Sequence, residues 1–318
     1  GVYLLPVLIA DSIKRIERFY HHKVRSMILF IRKTVLFLAG FLLLFAAFFI
    51  VVTALNKQPY QQLYRFQLDK LKSKNEVHNL FIGDSSLGNA VDAELFEKLT
   101  GKGTLNLALT GLYGYAGSYN MLKRAHREHP EIKNVIVMQA LDMQTRKLSM
   151  AGYLRTIGSV ADFWELGFAE KKEIILEVVP YLKSASIVGG QGKEIIINDY
   201  MKQKSNPVKE QFQIDIQVDE IEKGKSRFLE EIVSYCLKNN LNLIYSHGPI
   251  YEKTLLASSP YVTAANAKIE ATGVHLLSPT PLSISDDKIG DTSDHVHPDF
   301  RSAYTRKYYE MMATRLVE

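Results

Sequence analysis

The sequence predicts a three-layer α/β/α domain with about five parallel strands in a flavodoxin-like order, a helical insertion, and one transmembrane helix ahead of it. Three observations predict this. Five short apolar runs (Leu80–Ile82, Leu105–Leu109, Val135–Met138, Leu241–Tyr245 and Val274–Leu277) lack the polar alternation of half-exposed strands, so each reads as a strand buried on both faces. Helix-like stretches (Asp92–Leu99, Ala116–Glu128, Ser226–Lys238 and Pro260–Ala271) lie between them, and strand–helix alternation is the pattern of βαβ units. A charge-free segment, Val35–Leu55, precedes them all.

In chain order, residues 1–34 form a basic segment. Residues 1–33 hold seven Lys/Arg and two acids, which accounts for the whole net charge of +5. The remainder is neutral, which argues against a nucleic-acid footprint, since that needs a clustered basic face. Residues 1–26 have two readings: a processed or mis-assigned leader, or a helix on the inner leaflet with Ile13, Ile16, Tyr20, Val24 and Met27 at helical spacing. Residues 35–55 span about 30 Å as a helix, the thickness of a bilayer's hydrocarbon core. A cleaved signal peptide, with Val52-Thr53-Ala54 at its end, is the rival, but its apolar region is usually shorter. The basic cluster before the anchor puts the N-terminus in the cytoplasm and the main domain outside, at the cell membrane.

Residues 56–75 read as a connecting helix and 76–318 as the extracytoplasmic domain. The third and fourth strands are about a hundred residues apart, more than one crossover needs, so residues from about 146 to 225 must hold an insertion. Within it Ala161–Leu182 looks helical, while Ser186–Gly192 and Lys202–Pro207 look like loops. The single Cys236 excludes an internal disulfide, and no Cys/His zinc spacing is present. No metal and no cofactor is expected.

Two segments carry chemistry. Gly83-Asp84-Ser85-Ser86 follows the first strand directly, where a tight turn would offer one hydroxyl to solvent beside a helix N-terminus. Asp84 and Ser85 would equally cap a turn. A serine needs a base to become a nucleophile, and the base needs an orienting acid. The C-terminal loop Ser293-Asp294-His295-Val296-His297-Pro298 offers both, with Asp294 three residues before His297, close enough for a carboxylate to orient an imidazole on the same turn. His295 competes as the active imidazole, and the same residues would also cap the last helix, Asp299–Leu316. His247, at the carboxyl end of the fourth strand, and Tyr113, with Tyr115 in a glycine-rich stretch, are pocket candidates together with Asp84. His126 and His129 read as solvated.

In Phe81-Ile-Gly-Asp-Ser-Ser86, Asn106-Leu-Ala-Leu-Thr-Gly111, Val135–Met138 running on to Asp142, and Asp294-x-x-His297, the chain resembles the SGNH/GDSL hydrolase superfamily. It resembles most its membrane-anchored branch that modifies envelope polymers, which includes the teichoic-acid D-alanyl transfer protein and polysaccharide O-acetyltransferases. The resemblance covers most of residues 76–145 and 240–318. It implies Ser85 as nucleophile, His297 as base, Asp294 as its orienting acid, and the backbone amides of Ser85 and Gly111 as oxyanion donors. The family's Gly-x-Asn-Asp block is replaced here by Gln139-Ala-Leu-Asp142. Either Gln139 substitutes for the missing Asn or the hole has fewer donors, and losing one costs about 3 kcal/mol of transition-state stabilisation.

These readings lead to an O-acyltransferase that moves an acyl group (acetyl or D-alanyl class) through a serine ester onto an envelope polysaccharide or teichoic acid. By resemblance its partner is a multi-span membrane-bound O-acyltransferase; the bilayer is a partner too, and nucleic acid is not. The alternatives are an anchored esterase of the same triad and a non-catalytic scaffold that keeps the fold.

Overall fold

The computed structural model describes residues 4–146, 150–185, 196–197, 199–203, 212–221 and 227–317. The chain divides into two compact units, Gly1–Asn56 and Lys57–Glu318. The first unit contains the long helix α1 (Leu4–Leu55), within which Lys23–Leu55 is long and apolar enough to cross a membrane.

The second unit opens with α2 (Pro59–Ser73), where Pro59 sits at the start of the helix, a place that needs no amide donor. Then come β1 (Asn79–Gly83), α3 (Ser85–Ala90), α4 (Ala93–Thr100), β2 (Thr104–Asn106), α5 (Gly114–Glu128) and β3 (Asn134–Gln139). Asp92 caps α4 by accepting the Leu95 amide, and Gly101 ends it in the left-handed conformation that suits glycine. The insertion contributes α6 (Ala151–Thr156), α7 (Val160–Trp164), α8 (Phe168–Ser184) and an antiparallel pair, β4 (Ile196–Ile197) with β5 (Tyr200–Met201). The chain then forms α9 (Arg227–Lys238), β6 (Asn242–His247), β7 (Ile250–Tyr251), α10 (Glu252–Ala257), α11 (Ser259–Glu270), β8 (His275–Leu276), β9 (Ser283–Ile284) and α12 (Arg301–Met312).

The main sheet runs β2-β1-β3-β6-β8, all parallel. This is the flavodoxin-like order, whose switch point lies between β1 and β3, at their carboxyl ends. Alternate residues of each strand face opposite layers. Leu80, Ile82, Val135 and Val137 pack with Met121 and Leu122 of α5 and Ile232 of α9. Phe81, Ile136 and Met138 pack with Leu87 of α3, Phe96 of α4 and Tyr304, Tyr308 and Met312 of α12. Burial on both faces explains why the strands read as continuous apolar runs.

Three details differ from the sequence reading. The Ala161–Leu182 helix is two helices, α7 and α8, separated near Leu166-Gly167. The last helix begins at Arg301, because Pro298–Phe300 form a 3-10 turn. Residues 107–109 leave the strand but still run beside β1, through Leu107 N–H to Phe81 O and Leu109 N–H to Gly83 O, each 2.9 Å. The Ser186–Gly192 loop, and Lys202–Pro207 beyond Gln203, lie outside the described residues.

Candidate active site

Gly83 ends β1 against β3 so closely that a Cβ would collide with the Met138 carbonyl oxygen. A glycine is therefore required by close backbone approach. The next residue, Asp84, is buried and caps α3: its Oδ1 accepts from the Ser86 amide (3.0 Å) and the Ser86 hydroxyl (2.6 Å), and its Oδ2 accepts from the Ala140 amide (2.9 Å). Burial raises its pKa, helped by the charge of Asp294 and opposed by Arg146 and these hydrogen bonds. Ser86 is locked inside, with Gly248 so close that a Cβ there would strike its hydroxyl. Ser85 is left as the half-buried serine at the helix start. Asp84 is thus a structural clamp rather than a pocket wall: it fixes which of two adjacent serines turns outward.

Gly111 follows two residues after Leu109, whose amide donates to the Gly83 carbonyl at the end of β1 (2.9 Å). Neither the Ser85 nor the Gly111 amide donates a hydrogen bond among the described residues. Arg146 joins them. Its Nε and Nη2 hold Asp142 in a bidentate pair (3.0 and 2.7 Å), while Nη1 lies where a Gly111 Cβ would be. The guanidinium also interacts with the charges of Asp84 and Asp294. Arg146 was not a sequence candidate; its i,i+4 spacing from Asp142 was the available signal.

Gln139 is not an oxyanion donor in this structure. It is fully buried, and its amide donates to Ser118 Oγ (3.0 Å) on α5. A strand residue's side chain commits to one face, and this one faces α5. Tyr113 does not line a groove either: it is buried, stacks on Tyr64 and donates to the Tyr60 carbonyl (2.9 Å). Tyr115 is enclosed, its hydroxyl paired with Tyr245 (2.8 Å) and accepting from Gln144 (2.7 Å). His247 is a buried core histidine. Its Nε2 pairs with Asn266 (2.7 Å), and burial lowers its pKa to about 4, so it is neutral at pH 7. His129 is not solvated but buried between Glu131 and the Leu71 carbonyl, and His126 pairs with Tyr235.

The C-terminal loop departs most from expectation. Ile289 and Val296 bridge antiparallel, with Gly290 N–H on His295 O and His297 N–H on Lys288 O, each 2.7 Å. Asp294 sits in the turn closed by His295 N–H to Thr292 O (3.2 Å), whereas Val296 and His297 are extended, so Asp294 and His297 do not share one turn. The residue before a proline is forced toward extended backbone, and His297 has φ −58° and ψ 139°. Asp294 accepts from Thr292 (2.6 Å) instead, and His297 Nδ1 lies 3.4 Å from the Asp299 amide and 3.5 Å from its carboxylate.

His295 is the imidazole held by carboxylates, with Nδ1 2.6 Å from Asp291 and Nε2 3.8 Å from Asp294. Burial opposes its charge, but Asp294 and Asp291 outweigh it, and its pKa stands above the ordinary value. A raised histidine pKa contributes stability that is complete below the unfolded-state value and is lost as pH rises through the folded one. The melting-temperature advantage of wild type over His295→Gln should therefore shrink as pH is raised from about 6 to 8; a pH-independent gap would contradict this.

The insertion completes the rim. Tyr200 lays its ring on Gly88 of α3 and donates to the Leu109 carbonyl. Gln203 donates to Asn89 Oδ1 (2.8 Å) and to the Val296 carbonyl (2.7 Å), and Asn89 donates to the Ser85 carbonyl (2.8 Å). One side chain thus ties the helix that begins at Ser85 to the residue before His297.

No protein-family model matches the chain, and no curated protein does. Among solved structures it is similar to an acetyl xylan esterase (Est2A) from the rumen bacterium Butyrivibrio proteoclasticus, at 13% identity and a TM-score of 0.33. The match covers 76% of this chain and 64% of that one. A likeness this distant adds nothing to the reading of the side chains.

Proposed function

We propose that this is a membrane-anchored serine acyltransferase whose site is the rim formed by Ser85, Gly111, Arg146 and His297. The observation that carries the reading is the pair of adjacent serines resolved into opposite roles. Ser86 is clamped to buried Asp84, and Ser85 stands half-buried at a helix start; the Ser85 and Gly111 amides donate to no partner among the described residues, and a guanidinium lies against Gly111. These donors suit the negative charge that develops on an acyl oxygen, in place of the Asn that the resemblance led one to seek.

In the proposed reaction Ser85 Oγ attacks the acyl carbonyl while its proton passes to His297 Nε2. The tetrahedral oxyanion collapses, and His297 returns the proton to the departing group, leaving an ester on Ser85. An acceptor hydroxyl then attacks that ester, gives its proton to His297, and Ser85 leaves as the hydroxyl. His297 is chosen over His295 because both His295 nitrogens face carboxylates, whereas His297 Nε2 has no hydrogen-bond partner among the described residues and 47% of its side chain is exposed. Nδ1 must carry a proton for Nε2 to accept one, so the ring must turn from the Asp299 amide toward a carboxylate; Asp294 is the proposed partner. Exposed side chains reorient in picoseconds to nanoseconds.

The acceptor class proposed is an envelope polysaccharide or teichoic acid, with a multi-span acyltransferase as donor-side partner, and α1 as the anchor that keeps the N-terminus cytoplasmic. The test is turnover of p-nitrophenyl acetate by the full-length protein with and without glycan acceptor. A transferase acylates the glycan and releases p-nitrophenol faster in its presence. Fast release indifferent to glycan identifies an esterase instead, and no release in either case removes the covalent mechanism.

A further inference from the structure

Helix α8 is apolar on two opposite faces. At 100° per residue, its buried residues Ile174 and Tyr181 fall on one side, packed toward α6. Phe168, Ile175, Leu176 and Val179 fall on the other and are exposed, Phe168 at 87% and Leu176 at 63%. Trp164, at the end of α7, is 68% exposed and is tied to α8 through Lys171, whose ammonium donates to the Trp164 carbonyl (3.1 Å) and lies 5.3 Å from its ring. Lys172 and Lys183, both exposed, share this face. Aromatic and aliphatic residues with lysines whose stems lie along them make the surface of a helix that lies in a membrane interface.

The place of α8 in the domain says what covers this face. At its C-terminal end the Gln58 amide donates to the Ser184 carbonyl, and Arg155 of α6 reaches Ser184 Oγ (3.4 Å). Gln58 is only three residues beyond Leu55, the end of the apolar span, so about 10 Å of chain at most separates them. The C-terminal end of α8 is therefore bonded to a residue within that length of chain of the apolar span. We propose that the exposed face of α8, with Trp164, lies on the bilayer surface as a second, interfacial contact. This rests on reading α1 as a membrane anchor. Two contacts would limit the domain's tumbling on its tether and keep the Ser85 rim in a fixed attitude to the membrane.

Trp164 is the chain's single tryptophan, so its fluorescence reports this face alone. The full-length protein would be reconstituted into phosphatidylcholine–phosphatidylglycerol vesicles, with and without lipids brominated near the headgroup end of the acyl chain. Co-flotation with the vesicles tests the anchor separately. The expected result is flotation, blue-shifted emission quenched by the brominated lipid, and shielding from aqueous iodide. An Ile175→Lys/Leu176→Lys variant should float and melt as wild type does yet lose the lipid quenching. Flotation with iodide-accessible, lipid-insensitive emission overturns the proposal and leaves the anchor standing. Flotation with emission shielded from both quenchers overturns it in favour of a protein covering the patch. Failure to float defeats both readings.

Discussion

Ser85→Ala is expected to lower acyl transfer by roughly 10⁴-fold or more, the scale on which nucleophile removal acts in triad enzymes. The melting temperature should not move, because the Ser85 hydroxyl makes no hydrogen bond among the described residues and the residue is only half-buried. The measurement is single-turnover formation of the acyl-enzyme, followed by mass spectrometry, alongside thermal unfolding. Ser86→Ala is the control with the opposite signature. It removes a buried donor to Asp84 and should destabilise by about 1–3 kcal/mol, yet leave a site that still acylates. If serine and imidazole act as one unit, Ser85→Ala/His297→Asn should be no slower than either single variant. An acylated Ser85→Ala protein, or an inactive Ser86→Ala that folds normally, would reverse the assignment of the two serines.

Arg146→Ala should lower kcat by about 10²- to 10³-fold with little change in KM, the effect of removing one oxyanion donor that acts mainly in the transition state. Lysine should not restore the rate. The guanidinium holds Asp142 through two nitrogens while presenting the third beside Gly111, and an ammonium on a flexible stem cannot do both. Asp142→Asn should reproduce part of the loss, since it releases the fork without removing the charge. Equal losses in kcat and in 1/KM for Arg146→Ala would instead point to ground-state binding.

Much of the fold was legible because burial on both faces writes itself as uninterrupted apolar residues. Leu80-Phe81-Ile82 and Val135–Val137 could only be inner strands once helical stretches were seen between them. The motif at Gly83-Asp84-Ser85 was equally legible, being local: strand end, turn and helix cap are fixed by adjacent residues. Errors began where a side chain's role depends on which layer it meets. Gln139 stood at the right place in the chain for an oxyanion donor, but its face of the sheet is the α5 side. Tyr113 and Tyr115 sat in a glycine-rich stretch that suggested a groove, yet their rings fill the core around α2, α5 and β6. In the C-terminal loop Pro298 holds His297 extended, so the turn forms earlier, at Thr292–His295, and Asp294 bonds Thr292.

The strand and helix succession, the 21-residue apolar span and the serine at the end of β1 can be read from the residues alone, because these depend on short-range periodicity and backbone preference. Folding was needed to reveal that Arg146 stands beside Gly111, that Gln203 ties α3 to Val296, that His295 rather than His297 is flanked by carboxylates, and that α8 leaves an apolar face exposed. The Arg146–Gly111 and Gln203–Val296 contacts are meetings of residues far apart in the chain. Such meetings are set by packing that no local pattern encodes.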